Sequence, residues 1–226
     1  MTTTLLIPGL LCDRFCWEGV LARVPAQVAD LSTQDDLTQM ARDLLRQYPG
    51  ALRVAGHSMG ARVAMEMARL APDRIEKLAL LDTGIHPLRP GQTQKRDEIV
   101  RFAHDNGMEA LADRWLPPMV WEGNQTDAAL MAGLRAMVLR MTPDLHARQI
   151  KALVNRPDAA ATLGQVACPV LLMVGRQDQW SPVSQHEDML ALLPAARLEI
   201  IEDAGHFAPV ERPEAVADLL VPFLRD

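Results

Sequence analysis

The stretch Val54-Ala55-Gly56-His57-Ser58-Met59-Gly60-Ala61-Arg62-Val63-Ala64-Met65 changes its periodicity in the middle. Leu52 to Ala55 reads as a short strand, whereas Ala61, Ala64, Met65 and Ala68 recur on one face of a helix, so Ser58 stands where strand becomes helix. Glycines two positions before and two after the serine remove side chains that would collide as the chain reverses. Such a turn lifts a serine oxygen clear of the sheet, where it can reach a bound carbonyl. The same pattern also occurs in ordinary turns, so the rest of the chain has to supply a base, an acid to orient it, and donors for an oxyanion.

Outward from this junction, strands and helices alternate, the pattern of an α/β fold whose parallel sheet is covered on both faces. The candidate strands are Thr3 to Ile7, Gln27 to Leu31, Leu52 to Ala55, Lys77 to Leu81, Pro169 to Val174 and Arg197 to Ile201. Leu37, Met40, Ala41, Leu44, Leu45 and Tyr48 follow helical spacing, and Val183 to Leu193 and Pro213 to Leu224 are further helices. The alternation breaks between Gly84 and Val166, where only helical segments punctuated by prolines are found. The chain therefore divides into a core, residues 1–83 and 167–226, and a helical insertion, residues 84–166. Methionines and tryptophans of the insertion, such as Met119, suit a surface that adapts to apolar ligands, although a methionine at helical spacing more often packs against its own fold.

Composition narrows the class. With 49% apolar residues, 226 residues can bury one sizeable core and still leave material for the insertion. A net charge of −6 with both signs interspersed gives no cationic stripe for nucleic acid. The longest apolar runs are far too short to span a bilayer, and the opening residues have no basic segment before their apolar stretch, so a cytoplasmic address is expected. Cys12, Cys16 and Cys168 form no CxxC pair, and the six histidines lack HxxxH or HxH spacing, so neither disulfide framework, metal site nor cofactor is expected. Cys12 reads as a small apolar filler.

Partners for Ser58 can be read from strand ends. The amide of Met59 opens a helix beside the serine oxygen, and the loop Ile7-Pro8-Gly9-Leu10-Leu11 leaves the first strand near the serine turn, with the Leu10 amide as second donor. Asp203-Ala204-Gly205-His206-Phe207 follows the last strand and places His206 on the same rim as the serine. His57 is expected to point away from Ser58 and brace the loop, and His86, His104, His146 and His186 fall in the insertion or within helices. Val174-Gly175-Arg176-Gln177-Asp178 sets an acid just past a strand, about 28 residues before His206. Asp82, the rival acid, is better placed to cap the turn at Thr83 and Gly84. The order serine, aspartate, histidine is the one expected on such a sheet.

Gly56-His57-Ser58-Met59-Gly60, Gly175-Arg176-Gln177-Asp178 and Gly205-His206 followed by Glu211 and Pro213 together resemble the nucleophile elbow, acid loop and histidine loop of the α/β-hydrolase superfamily. The resemblance runs from end to end. It implies a helical cap at residues 84–166 and a sheet that lacks the family's first two strands, hence six parallel strands in the order 2-1-3-4-5-6. The edge strand at Gln27 to Leu31 would then be bare, to be covered by a second copy or kept short. Many relatives have His-Gly where this chain has Pro8-Gly9. The resemblance also implies a serine hydrolase acting on small to medium carboxylic esters, with a pocket made from Leu11, Met119, Trp180 and Phe207 and no clustered arginines. Thioesters, lactones and carbon-carbon cleavage use the same three residues in similar folds, and some members bind ligands with little turnover.

Overall fold

The computed structural model describes residues 2–88, 90–193 and 195–225. In chain order the elements are β1 (Thr3–Ile7), α1 (Glu18–Leu21), β2 (Gln27–Val28), α2 (Leu37–Gln47), β3 (Leu52–His57), α3 (Met59–Leu70) and β4 (Ile75–Leu81). Four helices follow without a strand among the described residues: α4 (Gln92–Trp115), α5 (Ala128–Leu139), α6 (Pro143–Val154) and α7 (Ala160–Leu163). The chain then completes the sheet with β5 (Val170–Gly175), α8 (Val183–Leu192), β6 (Arg197–Ile201), α9 (Ala208–Glu211) and α10 (Pro213–Arg225).

The six strands run in the order β2-β1-β3-β4-β5-β6, every neighbouring pair parallel. This is the expected all-parallel α/β sheet. The period of two along each strand divides the core. Leu6, Ala55, Ala79, Leu81, Leu171 and Met173 face α1 and α10 together with apolar residues of α4, α5 and α6. Leu5, Ile7, Val54, Leu78, Leu80 and Leu172 face α2, α3 and α8. Since both faces are covered, the central strands are apolar throughout, which is why runs rather than alternation mark them in the sequence.

Strand boundaries differ from the sequence reading in one informative place. The edge strand is two residues long, not five. Ala29 still donates to the Leu6 carbonyl (2.9 Å), but Asp30 then accepts from the Ser32 amide through its side chain (2.9 Å), and this local turn takes the chain away from the sheet. A short edge offers little backbone for a stray strand to pair with. Elsewhere the loops at the C-terminal ends of β1, β3, β4, β5 and β6 gather on one rim.

Candidate active site

The serine turn is held by sterics. Ser58 has φ 53° and ψ −114°, between the last residue of β3 and the first of α3. A Cβ on Gly56 would lie 2.5 Å from Ala61 Cα, and one on Gly60 would lie 2.2 Å from the Ile7 carbonyl oxygen, so both glycines are required for the close passage of backbone. A non-glycine residue at positive φ costs roughly 1–3 kcal/mol and persists only where its surroundings fix it. Here the Ser58 amide donates to the Leu81 carbonyl (2.8 Å) and the Thr83 hydroxyl donates to the Ser58 carbonyl (3.0 Å).

From that turn the Ser58 hydroxyl reaches His206 Nε2 at 2.8 Å, and His206 Nδ1 lies 2.8 Å from Asp178 Oδ2. A carboxylate only accepts, so Nδ1 carries the proton and Nε2 offers its lone pair to the serine. The other oxygen of Asp178 accepts from the amides of Trp180 (2.7 Å) and Ser181 (2.9 Å), which fixes the carboxylate plane. Burial disfavours the charged forms of both groups. The mutual charge and hydrogen bond outweigh it, so Asp178 stays below its ordinary value and His206 rises above its own. Three loops far apart in sequence thus bring together a hydroxyl, an imidazole and a carboxylate.

Residues 5–219 match the model of the alpha/beta hydrolase family. The chain belongs to that family. This alpha/beta hydrolase is 30% identical over 187 residues to the pimeloyl-[acyl-carrier protein] methyl ester esterase of Nitrosomonas europaea, covering 80% of the chain and 74% of that relative. It is 27% identical over 181 residues to a 2-hydroxy-6-oxononadienedioate/2-hydroxy-6-oxononatrienedioate hydrolase of Cupriavidus pinatubonensis, spanning 76% of the chain and 62% of that protein's length. Among solved structures it superposes on a thermophilic esterase from Thermogutta terrifontis, in its malate-bound form, with a TM-score of 0.90 and 27% identity, covering the whole chain and 90% of the esterase.

Around the three residues, the hydrolase braces its loops with two buried groups. His57 turns away from the serine and donates from Nε2 to the His206 carbonyl (2.7 Å), so the residue beside the nucleophile holds the loop of the imidazole. Its ring stacks on Phe207. Glu211, 3% exposed, accepts from the amides of Gly205 (2.9 Å), Phe207 (3.2 Å) and Trp121 (3.0 Å) and from the Asn124 side chain (2.9 Å). Glu211 belongs to the motif that follows His206, but its reach into the helical segment is not readable there, because two of its donors are about ninety residues away. Asp82 does not touch His206. It accepts from the Gly175 amide (2.9 Å), and full burial pushes its carboxyl well above the usual range.

A cavity of about 680 Å³ opens onto Ser58 and His206. Met119, Trp180 and Phe207 line it together with Leu10, Trp115 and Ile150. Leu11 does not. Its backbone sits at φ 56°, which sends the side chain into the core at 0% exposure and its amide to Gln149 Oε1 (2.9 Å), so the expectation that Leu11 lines the pocket is corrected. The lining is also more polar than expected: Lys95, Arg96 and Arg114 of α4 face the cavity, with Glu98 and His146. Burial lowers His146 to about 4, keeping it neutral. The amides of Leu10 and Met59, at the rim of the serine turn, make no hydrogen bond to any group among the described residues.

No helix among the described residues is long and apolar enough to cross a membrane.

Proposed function

We propose that this hydrolase cleaves carboxylic esters through an acyl-enzyme on Ser58. The observation that carries the reading is the unbroken chain from Ser58 Oγ through His206 to Asp178, each link 2.8 Å, opening onto the cavity. His206 takes the hydroxyl proton at Nε2 as Oγ bonds to the ester carbon, and Asp178 stabilises the resulting imidazolium. In this reading the amides of Leu10 and Met59 receive the developing oxyanion, the second at the positive end of α3. Collapse breaks the bond to the alkoxide, which leaves with the proton from His206. Water then attacks the acyl carbon, gives its proton to His206, and releases the acid while Ser58 recovers its hydrogen.

The helices from α4 to α6 act as the cap over this centre, and their lining supports an acyl group with an apolar body. Lys95, Arg96 and Arg114 add a preference for an anionic far end. The malate-bound esterase among its relatives, whose ligand carries carboxylates, agrees with that preference. The test is a panel of p-nitrophenyl esters of graded chain length, with and without a terminal carboxylate, beside thioesters and lactones, on wild type and Ser58→Ala, together with fluorophosphonate labelling. Multiple turnovers on esters that vanish with Ser58, and a label on Ser58 alone, are the expected result. Labelling without turnover on any ester would mark a ligand-binding protein and overturn the reading.

A further inference from the structure

At the cavity wall, outside the Ser58–His206–Asp178 chain, three side chains cluster. Cys12, Cys16 and His57 are buried, and their ligand atoms all lie within 4.8 Å of one another. Sequence spacing gave no warning of this, because the third member stands forty-one residues beyond Cys16 and is brought in by the pairing of β1 with β3. Cys12 and Cys16, separated by three residues, do fall within the separations at which thiolate pairs hold zinc.

The orientation of His57 is the decisive feature. Its Nε2 is 2.7 Å from the His206 carbonyl oxygen, which can only accept, so Nε2 carries the hydrogen. In the neutral ring the lone pair then sits on Nδ1, and Nδ1 faces Cys16 Sγ at 3.7 Å. A histidine whose far nitrogen donates to a backbone carbonyl while the near one meets two sulfurs has the outer bracing typical of a metal ligand. Bond lengths of about 2.3 Å to sulfur and 2.0 Å to nitrogen put tetrahedral ligand atoms about 3.5–3.8 Å apart. The Cys16–His57 pair already has that spacing. The remaining sulfur has about 1 Å or less to close, a side-chain adjustment.

We propose that Cys12, Cys16 and His57 bind one thiophilic d¹⁰ cation, Zn²⁺ or its analogue Cd²⁺, with the fourth coordination position open to the cavity. The donor set selects for such ions: two thiolates and an imidazole suit zinc, whereas magnesium and calcium require oxygen ligands. Entry is through the cavity wall, which Cys12 itself lines at 7% exposure. Binding replaces two thiol protons by one divalent ion, so two protons leave for each ion taken up when both thiols start protonated.

The experiment uses the reduced, metal-stripped chain of residues 1–226. Titration with Cd²⁺ is followed by thiolate-to-cadmium charge-transfer absorption in the ultraviolet. One equivalent should saturate a band that persists in Cys168→Ser and is lost in Cys12→Ser. X-ray absorption of the Zn²⁺-loaded wild type, which needs no substitution, should give a first shell of two sulfurs and at least one imidazole nitrogen. A shell of oxygen and nitrogen alone, a band that survives Cys12→Ser, or one that disappears with Cys168→Ser would overturn the site. Neither readout depends on ester turnover, so this proposal and the hydrolytic one stand or fall separately.

Discussion

The strand-end loops and the helical segment between β4 and β5 are built by different rules. Each loop that carries Ser58, Asp178 or His206 follows a strand within a few residues, and its conformation is dictated by backbone: positive φ at Ser58, glycines at 56 and 60, amide donors to Asp178. The helical segment contributes its cavity-lining side chains through packing, from positions spread between Gln92 and Leu153. On the proposed mechanism the reacting groups are set by local backbone geometry, whereas much of the acyl pocket is set by long-range assembly, with Leu10, Trp180 and Phe207 added by the strand-end loops. Substitutions in the first region should cost turnover, and those in the second should change which ester is preferred.

The sharpest way to break this contrast is Ser58→Ala, which should lower kcat by about 10⁴–10⁶-fold while circular dichroism stays unchanged. Retained turnover would move the nucleophile elsewhere. Asp178→Asn should cost about 10⁴-fold in kcat, since an amide stabilises the wrong imidazole tautomer, with KM little altered. Glu211→Gln tests the seam between the two regions, because its carboxylate serves both Gly205 and Trp121. An amide there turns donors against donors and should destabilise the fold by about 2–4 kcal/mol, read from urea unfolding, with a fall in kcat as the His206 loop loosens.

A pH profile sharpens the first half. On the proposed mechanism His206 must be neutral, and the raised value of that group in the free protein delays its neutralisation, so kcat/KM should increase with pH through a midpoint above 6.5, about tenfold per pH unit below it. In Asp178→Asn the residual midpoint should shift down. The smallest effect belongs to the cap: Arg96→Ala should raise KM by roughly threefold to tenfold for an ester with a terminal carboxylate and leave its neutral counterpart of equal length unchanged. Equal changes for both esters would remove the anionic preference.

What could be read in advance follows the same division. The elbow announces itself because a tight reversal needs glycine at fixed offsets, and Asp178 and His206 because apolar runs immediately precede them. The sheet order was likewise expected, since the apolar strands are buried on both faces and the resemblance supplied their arrangement. Leu11 was misplaced because a single positive φ inverted its side chain, and nothing in the residues Gly9-Leu10-Leu11 signals that the second leucine adopts it. The hub at Glu211 and the cations on α4 were missed for another reason. They depend on where a helix lands against a distant loop, and amphipathic spacing shows only that it lands.

One break in α4 has a consequence for how such a protein could be reshaped. Gly107, at φ 81° and ψ 174°, occupies a region closed to other residues and divides the helix into two arms. Lys95 and Arg96 ride on the first arm, and Arg114 and Trp115 on the second. A library that recombines or lengthens one arm need not rebuild the other, so the joint at residue 107 is a natural crossover point for designing new selectivity without touching the sheet.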